Sequence, residues 1–250
     1  MLSLFSLIKK TILSLVVLGF MLLGGSTYMY NNGLSGKYAN TDTKEGQIKV
    51  ACVGDSITYG HGISDWKNNN YPAVLQELLG EEYHVANFGS SGACVNPEGD
   101  QPYVSREVYQ NALDYNPDIL VFMMGTNDSK PENWNGYEAF LEDYGTLLES
   151  FTKGDKVPRL IICTCAEAFF HEDVDASTGL AKYDIQPAIV DEIAEGILRE
   201  TIAISVVDTI LIHDLTEEHP EWFEADGIHP NNDGARAIAK AVADSILPQE

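Results

Sequence analysis

Apolar residues recur along this chain in two rhythms that alternate from residue 48 onward. Short continuous apolar runs read as strands covered on both faces: Ile48–Gly54 ("IKVACVG"), Tyr83–Phe88, Ile119–Met124 ("ILVFMM"), Arg159–Cys165 and Ile204–Val207. Between them, apolar residues return every three or four positions, the spacing of one helical face, over Tyr71–Leu79, Val104–Tyr115, Tyr137–Phe151, Ile185–Thr201 and Asn232–Ile246. Asn116-Pro117 stops the second of these helices, because proline disfavours helical backbone in the residue before it. Strand and helix in alternation predict an α/β fold, with parallel strands joined by crossover helices that cover both sheet faces. No internal repeat or low-complexity tract breaks the order.

The first 46 residues stand outside this rhythm. Lys9-Lys10 precede an apolar run, Ile12 to Leu23, that is short for a membrane span but suits the hydrophobic centre of a signal peptide. Gly24, Gly25 and Ser26 are small enough for a cleavage region. Read on to Tyr30, the segment reaches the ~20 residues of a spanning helix, with Tyr28 and Tyr30 at an interface. Residues 1–30 are therefore expected to export the protein, as a cleaved signal or as a retained anchor. The polar stretch 31–46 reads as a linker and 47–250 as one domain, extracellular or at the cell surface, touching membrane only through the N-terminal segment.

Charge narrows the partners. The 38 acidic residues against 15 Lys and Arg leave a formal −23, a surface that repels phosphate backbones and excludes nucleic acid as a partner. Hydrophobic content of 44% and charged content of 21% are those of an ordinary globular domain. Four cysteines occur. Cys163 and Cys165, two apart on one strand, should share a face, and Cys52 should pack mid-strand as a small hydrophobe. Free thiols are the expectation, with a disulfide open for an exported protein.

Small and polar residues gather at four places after strand ends or before the last helix: Gly54-Asp55-Ser56, Asn87 to Ala93 ("NFGSSGA"), Gly125 to Asp128 ("GTND") and Asp226 to Asn231 ("DGIHPN"). In an open parallel sheet the carboxyl ends of the strands converge on the ligand crevice. Together these segments supply what acyl transfer needs. Ser56 is a nucleophile that needs a base within reach, and His229 can take its proton. Asp226, three residues earlier, can hold the imidazole in one tautomer. The backbone amides of Ser56 and Gly92 and the side-chain amide of Asn127 are candidate donors to an oxyanion.

The four segments resemble, in order and spacing, the four sequence blocks of the SGNH hydrolases, also called the GDSL esterase/lipase superfamily, over residues 48 to 246. The resemblance implies a three-layer α/β/α sandwich with a parallel, flavodoxin-like central sheet. It implies Ser56 as nucleophile, Asp226 and His229 as its partners, and Ser56, Gly92 and Asn127 as the oxyanion hole, with Gly89 as the alternative glycine. "GDSITYGHGISDWKNNNYPAVLQELLG" and "GTNDSKPENW" are similar to bacterial secreted sialate O-acetylesterases and acetylxylan esterases, which implies deacetylation of carbohydrates without a cofactor. The substrate is then a small-molecule or polysaccharide ester. A lysophospholipase or thioesterase, an aryl esterase and a silent carbohydrate-binding module are the alternatives.

Further residues are weighed beside these. Asp55 and Asp128 read as supports for the nucleophile and Asn127 turns. Trp66, Trp134 and Trp222 are candidates for stacking on a sugar, against the commoner role of packing; Trp134, just after the third block, is the foremost. His61, in "YGHG", could contact substrate, against the commoner role of a loop histidine that is simply exposed. Phe169 to Asp175 ("FFHEDVD") is a candidate border of the acyl pocket, and His213 and His219 are expected at the surface. No metal-ligand spacing is present, so no metal site is expected.

Overall fold

The computed structural model describes residues 40–154, 156–203 and 207–248. The expected export segment, and most of the expected linker, lie outside the described residues. Among the described residues no helix is long and apolar enough to cross a membrane. Residues 40–46 run exposed into the domain.

In chain order the elements are β1 (Ile48–Gly54), α1 (Ser56–Tyr59), α2 (Trp66–Asn69), α3 (Tyr71–Leu79), β2 (Tyr83–Gly89), α4 (Glu107–Tyr115), β3 (Ile119–Met123), α5 (Tyr137–Ser150), β4 (Arg159–Cys163), α6 (Pro187–Ala203), β5 (Asp208–Ile210), α7 (Ile212–Thr216) and α8 (Asn232–Ile246), with short 3-10 turns between them. The strands form one parallel sheet in the order β2-β1-β3-β4-β5.

Alternation along the strands divides the core in two, because successive side chains point to opposite faces. Ala51 and Val53 of β1 face α4, α5 and α6 through Ala112, Tyr144 and Ile193. Val50 and Cys52 face α3 and α8 through Leu75, Ile238 and Val242. Each fully buried aliphatic side chain in these layers contributes ~1.5–3 kcal/mol, so the two faces together hold the sheet between its helices. The architecture is the expected three-layer α/β/α sandwich.

Most element ends shift by one or two residues from the sequence expectation, and three differences go further. Val104–Tyr115 divides into a 3-10 turn, Tyr103–Ser105, and α4, because Arg106 is extended and the Tyr103 hydroxyl is anchored on the Phe88 carbonyl at 2.7 Å. The strand expected through Cys165 ends at Cys163. The chain then leaves the pleat, so Cys163 packs in one core layer and Cys165 in the other, not on a shared face. Of the strand expected over Ile204–Val207, residues 204–206 lie outside the described residues, and β5 begins after Val207. All four cysteines are free and buried.

The order β2-β1-β3 makes a switch point. The chain goes from β1 to one side and then returns to the other, leaving a crevice above the β1 carboxyl end. Gly54, the last residue of β1, pairs with Gly89 on one side and Met123 on the other. The segments that follow all three strands therefore meet above Gly54.

Candidate active site

Ser56 opens α1 directly after β1. Asp55 caps this helix, its carboxylate accepting the Ile57 amide at 2.9 Å, a role for which a short acceptor side chain is suited. Gly54 and Gly89 permit the turn to press onto the sheet: a methyl group on Gly89 would lie 2.1 Å from the Tyr59 nitrogen. Gly89 is thus a packing residue beneath α1. Gly92 is the glycine that lines the cleft, with φ +78° and Gln101 packed against it.

His229 comes from the loop before α8. An antiparallel bridge pairs Phe223 with Pro230, the Glu224 amide donates to the His229 carbonyl at 2.7 Å, and Asn231 caps α8 through the amides of Asp233 and Gly234. Within this loop Asp226 folds back as its three-residue separation allows. Its Oδ1 accepts the amides of Ile228 and His229, both at 2.9 Å, and its Oδ2 lies 2.7 Å from His229 Nδ1. The other ring nitrogen, Nε2, lies 2.9 Å from Ser56 Oγ. Carboxylate, imidazole and hydroxyl form one hydrogen-bonded chain, with His229 and Ser56 173 residues apart in sequence. Burial alone would raise the Asp226 carboxyl, but the His229 ring and the two amides outweigh it and hold the group well below the usual carboxylate range. It therefore stays ionised and keeps a proton on Nδ1, leaving Nε2 free to accept one.

Asn127 sits in a 3-10 turn, Thr126–Ser129, after β3. Its Nδ2 donates to the Ala93 carbonyl at 3.1 Å and lies 3.5 Å from Asp55 Oδ2. The latter is a long contact that an amide proton would exchange readily for a closer acceptor. Asp128 ties this turn to the loop after β2, taking the Val95 and Asn96 amides. Burial pushes the Asp128 carboxyl up to about 7 and Asp55 up to about 6, partly offset by these amides and by the Ile57 amide respectively.

Ser56, Gly92, Asn127 and His229 line one cleft of about 210 Å³, together with His61, Gln101, Lys130, Tyr183 and Ile185 among others. A wider groove of about 720 Å³ runs beside α3 and β2, past Asn68 and Gln76, but holds none of Ser56, Asp226 or His229. Convergent polar groups, rather than size, single out the smaller cleft.

Other expected candidates fall elsewhere. Trp134 is half-buried against the core, 6.2 Å from the Phe140 ring, and is not among the residues lining the cleft. Trp66 packs on Tyr59 and Trp222 on His219. The "FFHEDVD" stretch braces the His229 loop from outside, the Phe169 amide donating to the Gly227 carbonyl at 2.9 Å. His213 is half-buried, its Nε2 3.2 Å from both Glu167 and Asp191. Glu167, Asp191 and His213 are the group, among the described residues, whose ligand atoms lie within 4.8 Å of one another, close enough to hold a metal ion.

Two site residues, Asn133 and Tyr183, escape sequence reasoning, and a third, His61, enters it only as the less common reading. Asn133, buried, donates to the Asn127 carbonyl at 2.8 Å and accepts the Asp100 amide at 2.8 Å, joining two loops. His61 lies with its ring centroid 4.4 Å from that of His229, and Tyr183 at 5.5 Å. The two glycines flanking His61 were a faint signal; nothing near Tyr183 marked it.

With this geometry in hand, known proteins supply a comparison. A family model described as the GDSL-like lipase/acylhydrolase family matches residues 52–237. An acetylxylan esterase from Xylanibacter ruminicola is 33% identical over 220 residues, 81% of this chain, and the chain spans 44% of that protein's length. A solved carbohydrate acetylesterase from Sinorhizobium meliloti has a TM-score of 0.64 at 17% identity, over 80% of this chain and 98% of its own. The aryl esterase of M. smegmatis gives 0.65 at 16% identity over the same shares. At such identities these two show a common fold. The match over residues 52–237 carries all four segments that build the cleft, and the chain belongs to the GDSL-like lipase/acylhydrolase family.

Proposed function

We propose that this chain is a serine esterase that removes short acyl groups, acetyl foremost, from carbohydrate esters. The observation that carries the reading is the continuous chain Asp226–His229–Ser56, with contacts of 2.7 and 2.9 Å. Ser56 Oγ attacks the ester carbonyl carbon while His229 Nε2 takes its proton. Asp226 stabilises the imidazolium that forms. The oxyanion is received by the Ser56 and Gly92 amides and by Asn127 Nδ2, which gives up its long contact with Asp55. On collapse the C–O bond to the alcohol breaks and His229 delivers the proton to the leaving oxygen. Water then repeats the sequence on the acyl-enzyme, restoring Ser56.

The acetyl preference is supported by the small cleft of about 210 Å³ and by the likeness to an acetylxylan esterase. Export through residues 1–30 belongs to the same reading, and N-terminal sequencing of the mature protein distinguishes a cleaved signal from an anchor. The test of function is turnover of p-nitrophenyl acetate, butyrate and octanoate by the wild type and Ser56→Ala. Acetate preference abolished in the variant is expected. Octanoate preference would favour a lipid or thioester substrate, and turnover that survives Ser56→Ala would refute the nucleophile.

A further inference from the structure

The direction of proton transfer divides the cleft. His229 must hand its proton to the departing alcohol, so the alcohol leaves beside Nε2, among the neighbours of the His229 ring. Two rings that line the cleft with Ser56 lie against the His229 ring. His61 is half-buried at 4.4 Å between centroids, held by its amide on the Ser56 carbonyl at 2.9 Å. Tyr183 stands at 5.5 Å, its plane turned 70° from that of His229. Tyr183 is 54% exposed although it lines the cleft.

The backbone beneath Tyr183 is unusual. Tyr183 has φ +60° and Asp184 φ +61°, two consecutive non-glycine residues in the left-handed region. Bulky side chains rarely adopt it, and such conformations gather at ligand sites. The neighbouring chain holds them there: the Ala181 amide donates to the Ile185 carbonyl at 2.7 Å, and the Gln186 amide group donates to the Ser129 carbonyl. The result sets an aromatic ring at the rim, with its hydroxyl 3.4 Å from Asp226 Oδ2. An exposed aromatic face beside polar groups suits a ring that is apolar on one side and hydroxylated at its edge, as a pyranose is. The formal charge of −23 favours a neutral sugar over an anionic one.

Building on the esterase reading, we propose that Tyr183 and His61 form the subsite for the leaving alcohol, with Tyr183 as a stacking platform for a neutral pyranose that carries the acetyl group. The sugar ring is therefore recognised on the His229 side of the scissile bond. Trp66, Trp134 and Trp222 take no part.

The test compares two acetates that differ only in the alcohol: an acetylated xylo-oligosaccharide and ethyl acetate, whose alcohol has no ring to stack. In Tyr183→Ala the ratio of kcat/KM for the sugar ester to that for ethyl acetate should fall about tenfold, mainly through KM. Tyr183→Phe, which keeps the ring and loses the hydroxyl beside Asp226, should retain the ratio within about twofold. An equal fall on both esters in Tyr183→Ala would show that Tyr183 acts through Asp226, overturning the platform. So would kcat/KM unmoved on both esters in Tyr183→Ala. A wild type that hydrolyses ethyl acetate but no acetylated sugar would overturn the subsite and leave the esterase standing. A wild type inactive on every ester would overturn both.

Discussion

Removing the Asp128 carboxylate should loosen the cleft and destabilise the domain together. Oδ1 accepts the amides of Val95 at 2.9 Å and Asn96 at 3.0 Å, and Oδ2 takes a second bond from Val95 at 3.1 Å. Both donors belong to buried residues. Asp128→Ala leaves two buried N–H groups without this acceptor, at ~1–3 kcal/mol each. The loss of ~2–6 kcal/mol corresponds, for a domain of this size, to a fall in Tm of about 12 °C at mid-range. Asp128→Asn keeps an oxygen at the Oδ1 position and should lose only about 1 kcal/mol at pH 7. The pH dependence adds a second readout. Burial lifts the Asp128 carboxyl to about 7, above its ordinary 3.8, so the folded chain holds a proton that the unfolded chain has released. Stability from this group therefore falls as pH rises between about 4 and 7. Asp128→Asn has no such proton, so the wild type should lose ground to it over that window and no further above pH 8. Urea unfolding followed by tryptophan fluorescence at pH 5, 7 and 8 measures both effects. An alanine variant within 1 kcal/mol of wild type, or an opposite slope with pH, would refute the role assigned to the carboxylate.

Other outcomes follow from the same geometry. Asp226→Asn should keep the fold while lowering kcat on p-nitrophenyl acetate by about 10³- to 10⁴-fold, because the imidazole loses its charged partner and its fixed tautomer; a loss under tenfold would show that His229 is oriented by other groups. Gly89→Ala should fail to fold or melt far below wild type, since its methyl meets the Tyr59 backbone at 2.1 Å. Gly92→Ala should melt closer to wild type, because its methyl meets the movable Gln101 side chain, yet lose esterase activity; thermal melts and kcat together separate the two glycines. Burial raises the thiol pKa of all four cysteines, Cys94 and Cys163 to about 12, so the native protein should not react with a thiol reagent at pH 8, whereas the denatured protein should show four reactive groups. Fast labelling of the native chain would contradict that packing.

The sequence by itself determined the layers and marked the polar groups that meet in the cleft. Continuous apolar runs such as "ILVFMM" have one stable home, a strand covered on both faces, and α3 and α8 run from the first to the last residue that their periodicity predicts. Asp226 and His229 were legible as a pair because three residues of loop suffice to bring them together, and Gly-Asp-Ser was legible because it ends a buried strand. What the sequence could not determine was contact between distant segments. Cys163 and Cys165 fell into opposite core layers because the strand ended between them, a boundary that period-two alternation does not show. Trp134 looked placed for substrate by its distance along the chain, yet it packs against Phe140. Asn133, His61 and Tyr183 reach the site only because the β2-β1-β3 order brings the loops after three strands, the turn before α6 and the loop before α8 to one crevice. Local periodicity records which face of an element is buried. Which residues meet across the crevice depends on strand order and loop closure, and those are properties of the assembled sheet.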